Sequence, residues 1–210
     1  MGINPSRRFT RPAAGAKIDN LDVLLTALES GDDHQAERAM HALIAEGERI
    51  IPLMRTWLDS PNAERRWWAV GIFAQIDVAD VDLILPALRD ESVEVRQAAA
   101  LGISHHPSPK ALPALLDTLR DTDRMLASLS ANALAEIGEA AVPPLLALLE
   151  QDDVRQSARV EAMRALAKIG DTRAIPAMMA ALEEDSALMQ HWAEAGLEKL
   201  GLDMVYMKLV

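Results

Sequence analysis

The chain contains no cysteine, and that single absence removes disulfide frameworks, thiolate zinc sites, iron–sulfur clusters and cysteine nucleophiles together. A reducing compartment suits such a composition. Aromatic residues amount to only 3%, so the 50% apolar fraction is largely aliphatic, and 210 residues are enough to bury a sizeable core from it. Long apolar runs are lacking as well. The longest, Ala140 to Leu149, falls short of the roughly 20 residues that a membrane span needs, and Pro143 and Pro144 interrupt it. The first twenty residues hold no apolar segment of the signal-peptide kind, so the expected compartment is the cytoplasm, with no membrane contact.

Positive charge is also short. The chain carries 21 Lys and Arg against 32 Asp and Glu. It is unevenly placed: Arg7, Arg8, Arg11 and Lys17 against Asp19 give residues 1–20 a charge of +3, which leaves −14 for the rest. A body of that sign repels phosphate, and no local basic patch offsets it, so nucleic acid is not an expected partner. Residues 1–20 read as an unfolded basic arm, and residues 21–210 as one domain.

What the sequence does have is a repeat. Leu28, Leu58, Leu88, Leu119, Leu149 and Leu182 follow one another at intervals of 30, 30, 31, 30 and 33 residues. The fourth residue before each is Leu24, Met54, Ile84, Leu115, Leu145 or Met178, and the seventh is apolar too; offsets of zero, four and seven are one face of a helix. Pro52, Pro113, Pro143 and Pro176 stand near the front of these segments, where a missing N–H does no harm. A polar turn rich in Asp, Ser and Asn follows each segment and starts a second helix. Six helix pairs result, at about 21–50, 51–80, 81–110, 111–140, 141–173 and 174–201, with residues 202–210 as a C-terminal cap. A unit of this size cannot bury both apolar faces alone, so stacking completes the core. The expected fold is all-α: an armadillo-type α-solenoid of six antiparallel helix pairs.

Three segments carry a family resemblance: Ala111-Leu112-Pro113-Ala114-Leu115-Leu116, Val93-Glu94-Val95-Arg96-Gln97-Ala98-Ala99-Ala100 and Ala165-Leu166-Ala167-Lys168-Ile169-Gly170-Asp171. They resemble the short HEAT repeats of the phycobilisome-lyase type. The resemblance implies a ladder in which an Asp after each first helix pairs with an Arg early in a second helix; Asp59, Asp90, Asp121 and Asp152 with Arg66, Arg96 and Arg159 occupy those positions. Ala36, Ala127 and Gln190 stand where arginine is expected and interrupt it. The family also includes subunits that attach or detach bilin chromophores on light-harvesting proteins, and such a subunit needs no cysteine because the acceptor thiol belongs to its substrate.

Chemistry-bearing motifs are otherwise missing. The histidines are His34, His41, His105, His106 and His191, without the repeated His-Glu pairs of a HEAT-type di-iron hydroxylase, and only His105 and His106 adjoin. Neither a metal nor any cofactor is expected. Phosphate loops, zinc-protease helices and nucleophile elbows are absent, so the sequence reads as a non-enzyme, with a bilin lyase-like subunit as the alternative.

Function in a solenoid lies on exposed faces, usually the concave one lined by second helices. Counting from the ladder position, offsets +1 and +5 point away from the core. They supply the expected partner-binding set: Trp67, Leu101, Arg164, His41, Asn132, Val160 and His191. Trp67, Leu101 and Val160 are then apolar groups on a surface, and Trp and Arg are favoured interface anchors. Trp68 and Trp192 read as packing residues, Trp57 as either packed or open. Arg55, in a column of leucines, reads as a side chain snorkelling to water. The resulting expectation is a monomeric scaffold or adaptor that binds a protein or an extended peptide along the groove.

Overall fold

The structure, a computed structural model, describes residues 20–76 and 81–202. The basic arm and almost all of the expected cap lie outside the described residues. Those described contain eleven α-helices and no strand. First helices are α1 (Leu21–Leu28), α3 (Ile51–Leu58), α6 (Leu112–Leu119), α8 (Val142–Leu149) and α10 (Ile175–Ala181). Second helices are α2 (Asp33–Ala45), α4 (Ala63–Phe73), α5 (Val93–His105), α7 (Arg124–Ile137), α9 (Gln156–Ile169) and α11 (Ala187–Lys199).

Proline explains where first helices form and where one fails. Pro52, Pro113, Pro143 and Pro176 sit in the first turn of α3, α6, α8 and α10, where no intrahelical N–H is missed. The third repeat has Asp82 at that place and Pro86 four residues later. There the ring removes a hydrogen bond and clashes with the preceding turn. The segment therefore folds as two 3₁₀ turns, Val81–Leu83 and Leu85–Arg89, in place of the expected α-helix.

Second helices start on side-chain caps. The Asp32, Asn62 and Asp123 carboxylate or amide oxygens accept from Gln35 N (3.0 Å), Glu64 N (2.9 Å) and Leu126 N (2.7 Å). The fifth repeat departs from this: α9 begins beyond Asp152 and Asp153, with Arg155 in the cap position and no capping side chain. The apolar stretch 124–149 is divided at Gly138, whose φ of 76° turns the chain between α7 and α8.

Second helices α4, α5, α7, α9 and α11 pack directly on one another in chain order, whereas first helices touch sparsely across repeats. The closely packed row forms one continuous layer, the inner face of the stack. Between the layers lie Leu28, Met54, Phe73, Ile84, Leu115, Leu126 and their neighbours, all sealed from water. In the second, fifth and sixth repeats, Trp57, Leu148 and Ala181 are buried while Leu58, Leu149 and Leu182 remain half-exposed. A 3.6-residue turn falls between the three- and four-residue spacings, so either neighbour can face the seam. Trp57 is thus a packing residue, with the Arg65 guanidinium 5.5 Å above its ring.

Candidate functional site

Arg66, at a ladder position, is the one buried charged residue among those described. Arg66 forks onto Asp90 (Nε 2.7 Å, Nη2 2.8 Å) and donates through Nη1 to the Ser60 carbonyl at 2.8 Å. Arg96 donates to Asp121 at 3.1 Å and to the Asp90 carbonyl at 2.9 Å. Each arginine therefore closes the turn of its own repeat and ties it to the next. Arg159 does the same with the Leu149 carbonyl, but its acid is Glu184 (2.8 Å). Asp59 and Asp152, expected as rungs, are exposed, and no described arginine pairs with either of them.

The interrupted rungs are bridged by other means. Gln190 donates to the Glu184 carbonyl at 2.6 Å, the position that Arg66 and Arg96 serve in their own turns. Where Ala36 stands, Arg65 of the following repeat pairs with Glu29, and the pairing holds the Glu29 carboxyl below its ordinary range. Where Ala127 stands, Arg155 reaches back to the Arg120 carbonyl, and Thr118 and Ser130 share a buried hydrogen bond of 2.7 Å. Burial pushes the Asp90 carboxyl up, but hydrogen bonds from Arg66 and Ser92 N–H hold it below the ordinary value. These charges are committed to one another, as structural carboxylates are.

The inner face is more open. Trp67, the fifth residue of α4, is 39% exposed, and Leu101 of α5 is 46% exposed. Trp67 stands edge-on to the half-buried Trp68, with ring centroids 4.7 Å apart. His41 and His191 are exposed, and His191 packs edge-on against Trp192. Val160 departs from expectation. It is buried, at 9% exposure, in a recess of about 520 Å³ that it lines together with Leu188, so the first turn of α11 shields it.

Arg164 and Asn132 lie on this face but are not free. Arg164 bonds Glu161 (2.7 Å), Asn132 Oδ1 (2.8 Å) and the Ser128 carbonyl (2.7 Å), and Lys168 shares the same Asn132 oxygen at 2.8 Å. This network clamps α9 to α7. Partners one repeat away, such as Ser128, carry no sequence signal at helical spacing, which is why column counting finds the arginine and misses its role. Arg55 is exposed, as a snorkelling side chain should be, on the rim of a recess of about 560 Å³ on the outer side. His106 bonds the Ala74 carbonyl at 2.9 Å, tying two repeats together. Among the described residues, no group of three or more His, Asp or Glu gathers as metal ligands would.

Comparison with known proteins follows the same lines. The family model for HEAT repeats matches residues 81–164 and 131–198. The phycocyanobilin lyase subunit beta of Pseudanabaena tenuis is 38% identical over 78 residues, 37% of this chain and 27% of that protein. The phycobilisome maturation protein of Synechococcus elongatus is 31% identical over 107 residues, 51% of each chain. The chain thus spans about half or less of the length of these relatives. A solved structure, the complex of CpcE and CpcF of phycocyanin lyase from Nostoc sp. PCC7120, superposes with a TM-score of 0.56 at 26% identity, covering 75% of this chain and 67% of that one.

These relatives correct one expectation. Missing catalytic motifs argued for a non-enzyme, yet one of the two matched relatives and the superposed complex carry the name of a lyase. A subunit that works on another protein's thiol needs no nucleophile of its own, so its motif content is a poor guide to whether it takes part in catalysis. The chain belongs to the HEAT-repeat family, with repeats of the kind found in the phycobilisome lyases.

Proposed function

We propose that this chain is a lyase-type subunit that holds a chromophore-carrying protein against its inner face while a bilin is attached to it or detached from it. The observation that carries the reading is the joint match, in sequence and in superposed structure, to phycocyanobilin and phycocyanin lyase proteins. The geometry supports it in two ways. Trp67 and Leu101 are large apolar groups left open on the continuous face formed by the second helices. The ladder and the Arg164 clamp make that face rigid, so little ordering is needed when a partner docks. The chain contributes the surface; the acceptor contributes the cysteine, since this sequence has none.

The test is reconstitution. An apo-phycobiliprotein subunit and its free bilin are incubated with and without this chain, alone and with a candidate partner subunit. Covalent pigment is read by zinc-induced fluorescence after denaturing electrophoresis. The reading expects faster labelling of the acceptor, or faster loss from pigmented acceptor, whenever the chain is present. Identical rates in both directions, with and without it, would overturn the reading.

A further inference from the structure

Two recesses lie along the same edge of the inner face, in the same register, and they differ in chemistry. The first, about 470 Å³ between α4 and α5, is lined by Trp67, Glu64, Glu94 and Gln97 with Ala63 and Ser92. The T-shaped contact with Trp68 steadies the Trp67 indole, which stays 39% exposed. Glu64 is exposed, and Glu94 accepts from the Ser92 hydroxyl at 2.6 Å and from its own backbone N–H. Among the described residues no cation pairs with either carboxylate, and Gln97 is turned away to Asp123 (2.9 Å). An exposed indole flanked by two carboxylates that form no ion pair is complementary to an ammonium or guanidinium group.

The second recess repeats this register farther along. Val160, the fifth residue of α9 as Trp67 is of α4, lines it, and Leu188, the second residue of α11 as Glu64 is of α4, lines it too and stands 60% exposed. Ala127, Val160 and Leu188 give it an apolar wall, while Asp121, Glu161, Arg124 and Arg155 line the rest, so carboxylates there are balanced by cations, unlike those beside Trp67. Three helix spacings of 8–10 Å, from α4 through α5 and α7 to α9, set the two recesses about 24–30 Å apart. That is about eight residues of extended chain at ~3.3 Å each.

We propose that this edge holds an extended segment of a partner protein that presents an arginine or lysine side chain to the Trp67 recess and, about eight residues away, a large apolar side chain to the recess at Val160 and Leu188. The inference rests on the reading that the inner face binds protein, and is independent of whether a bilin is handled. Charge complementarity selects the occupant: the body is acidic overall, and its most exposed indole is ringed by carboxylates.

The probes are synthetic peptides in which Arg and Leu are separated by seven Ser or Gly residues, titrated into the full-length chain with its backbone amide resonances followed by NMR. Saturable binding is expected. Replacing the peptide's Arg by Ala should weaken it about tenfold, as should Trp67→Ala in the chain, whereas Trp67→Ala should have little further effect on the Ala peptide. Glu64→Gln with Glu94→Gln should weaken the Arg peptide and leave the Ala peptide unchanged. A three-residue spacer should lose the contribution of the Leu. Equal affinity for Arg and Ala peptides, or no saturable shift at millimolar peptide, would overturn the proposal while leaving pigment-transfer activity intact. Tighter peptide binding by an Arg7→Ser, Arg8→Ser, Arg11→Ser chain would assign the recess to the chain's own first residues and overturn the partner assignment.

Discussion

Replacing Arg66 by methionine tests whether the ladder holds the stack together. Arg66 makes two bonds to Asp90 and one to the Ser60 carbonyl, and the paired side chains are only 9% and 12% exposed. Methionine fills much of the volume but leaves Asp90 with only the Ser92 N–H (2.9 Å) and the nearby Arg96 charge. Breaking one side of a buried pair costs roughly 3–5 kcal/mol. The retained N–H bond puts the expected loss near the lower end, about 3 kcal/mol. Arg159→Met removes a pair whose side chains are 22% and 30% exposed, so about 1–2 kcal/mol is expected there. The assay is urea unfolding followed by circular dichroism, comparing midpoints at constant slope. Adding Asp90→Asn to Arg66→Met removes the stranded charge and should recover about half of the loss. A loss below about 1 kcal/mol for Arg66→Met, or no recovery in the double variant, would refute the structural role given to the ladder.

Phe73→Ala, at a fully buried position, should destabilise by about 3–5 kcal/mol in the same assay, whereas Trp67→Ala should stay within about 1 kcal/mol; equal losses would place Trp67 in the core. Gly102→Ala should cost about 1–3 kcal/mol, because the added Cβ would lie 2.8 Å from the Ala74 Cβ, and differential scanning calorimetry should show the lowered melting temperature. Acid should also weaken the fold. Hydrogen bonds from the Arg173 side chain and backbone N–H hold the Asp171 carboxyl at about 2, so its stabilisation is full above its unfolded value near 3.9 and is lost as the pH falls towards 2. Asp90 acts in the same direction. Asp171→Asn should therefore flatten the stability–pH curve below about pH 4 and leave its shape near pH 7 unchanged.

The fold was legible because the repeat is written in apolar spacing, and spacing is what a helix face records. Its exceptions arise where one residue overrides the period: Pro86 converts a helix into 3₁₀ turns, and Trp57 displaces Leu58 from the seam. The inner face was legible column by column, which is why Trp67 and Leu101 stand exposed where counting put them. Contacts between repeats were not. Val160 is covered by a rim residue of the next repeat, and Arg164 is held by Ser128 and Asn132 more than thirty residues earlier. The proposed part in a lyase reaction was least legible of all, since the reacting thiol of that reaction would lie in another chain.

The central claim is that the inner face, centred on Trp67 and Leu101, engages the protein that carries the chromophore. The most direct measurement is the rate of covalent bilin incorporation as a function of acceptor concentration, for the unaltered chain and for the Trp67→Ala, Leu101→Ser double variant. The account predicts that the variant keeps its thermal stability but needs about tenfold more acceptor to reach half-maximal rate, since central aromatic anchors contribute about 1–2 kcal/mol or more to an interface. An unchanged concentration dependence in a stable variant would contradict it.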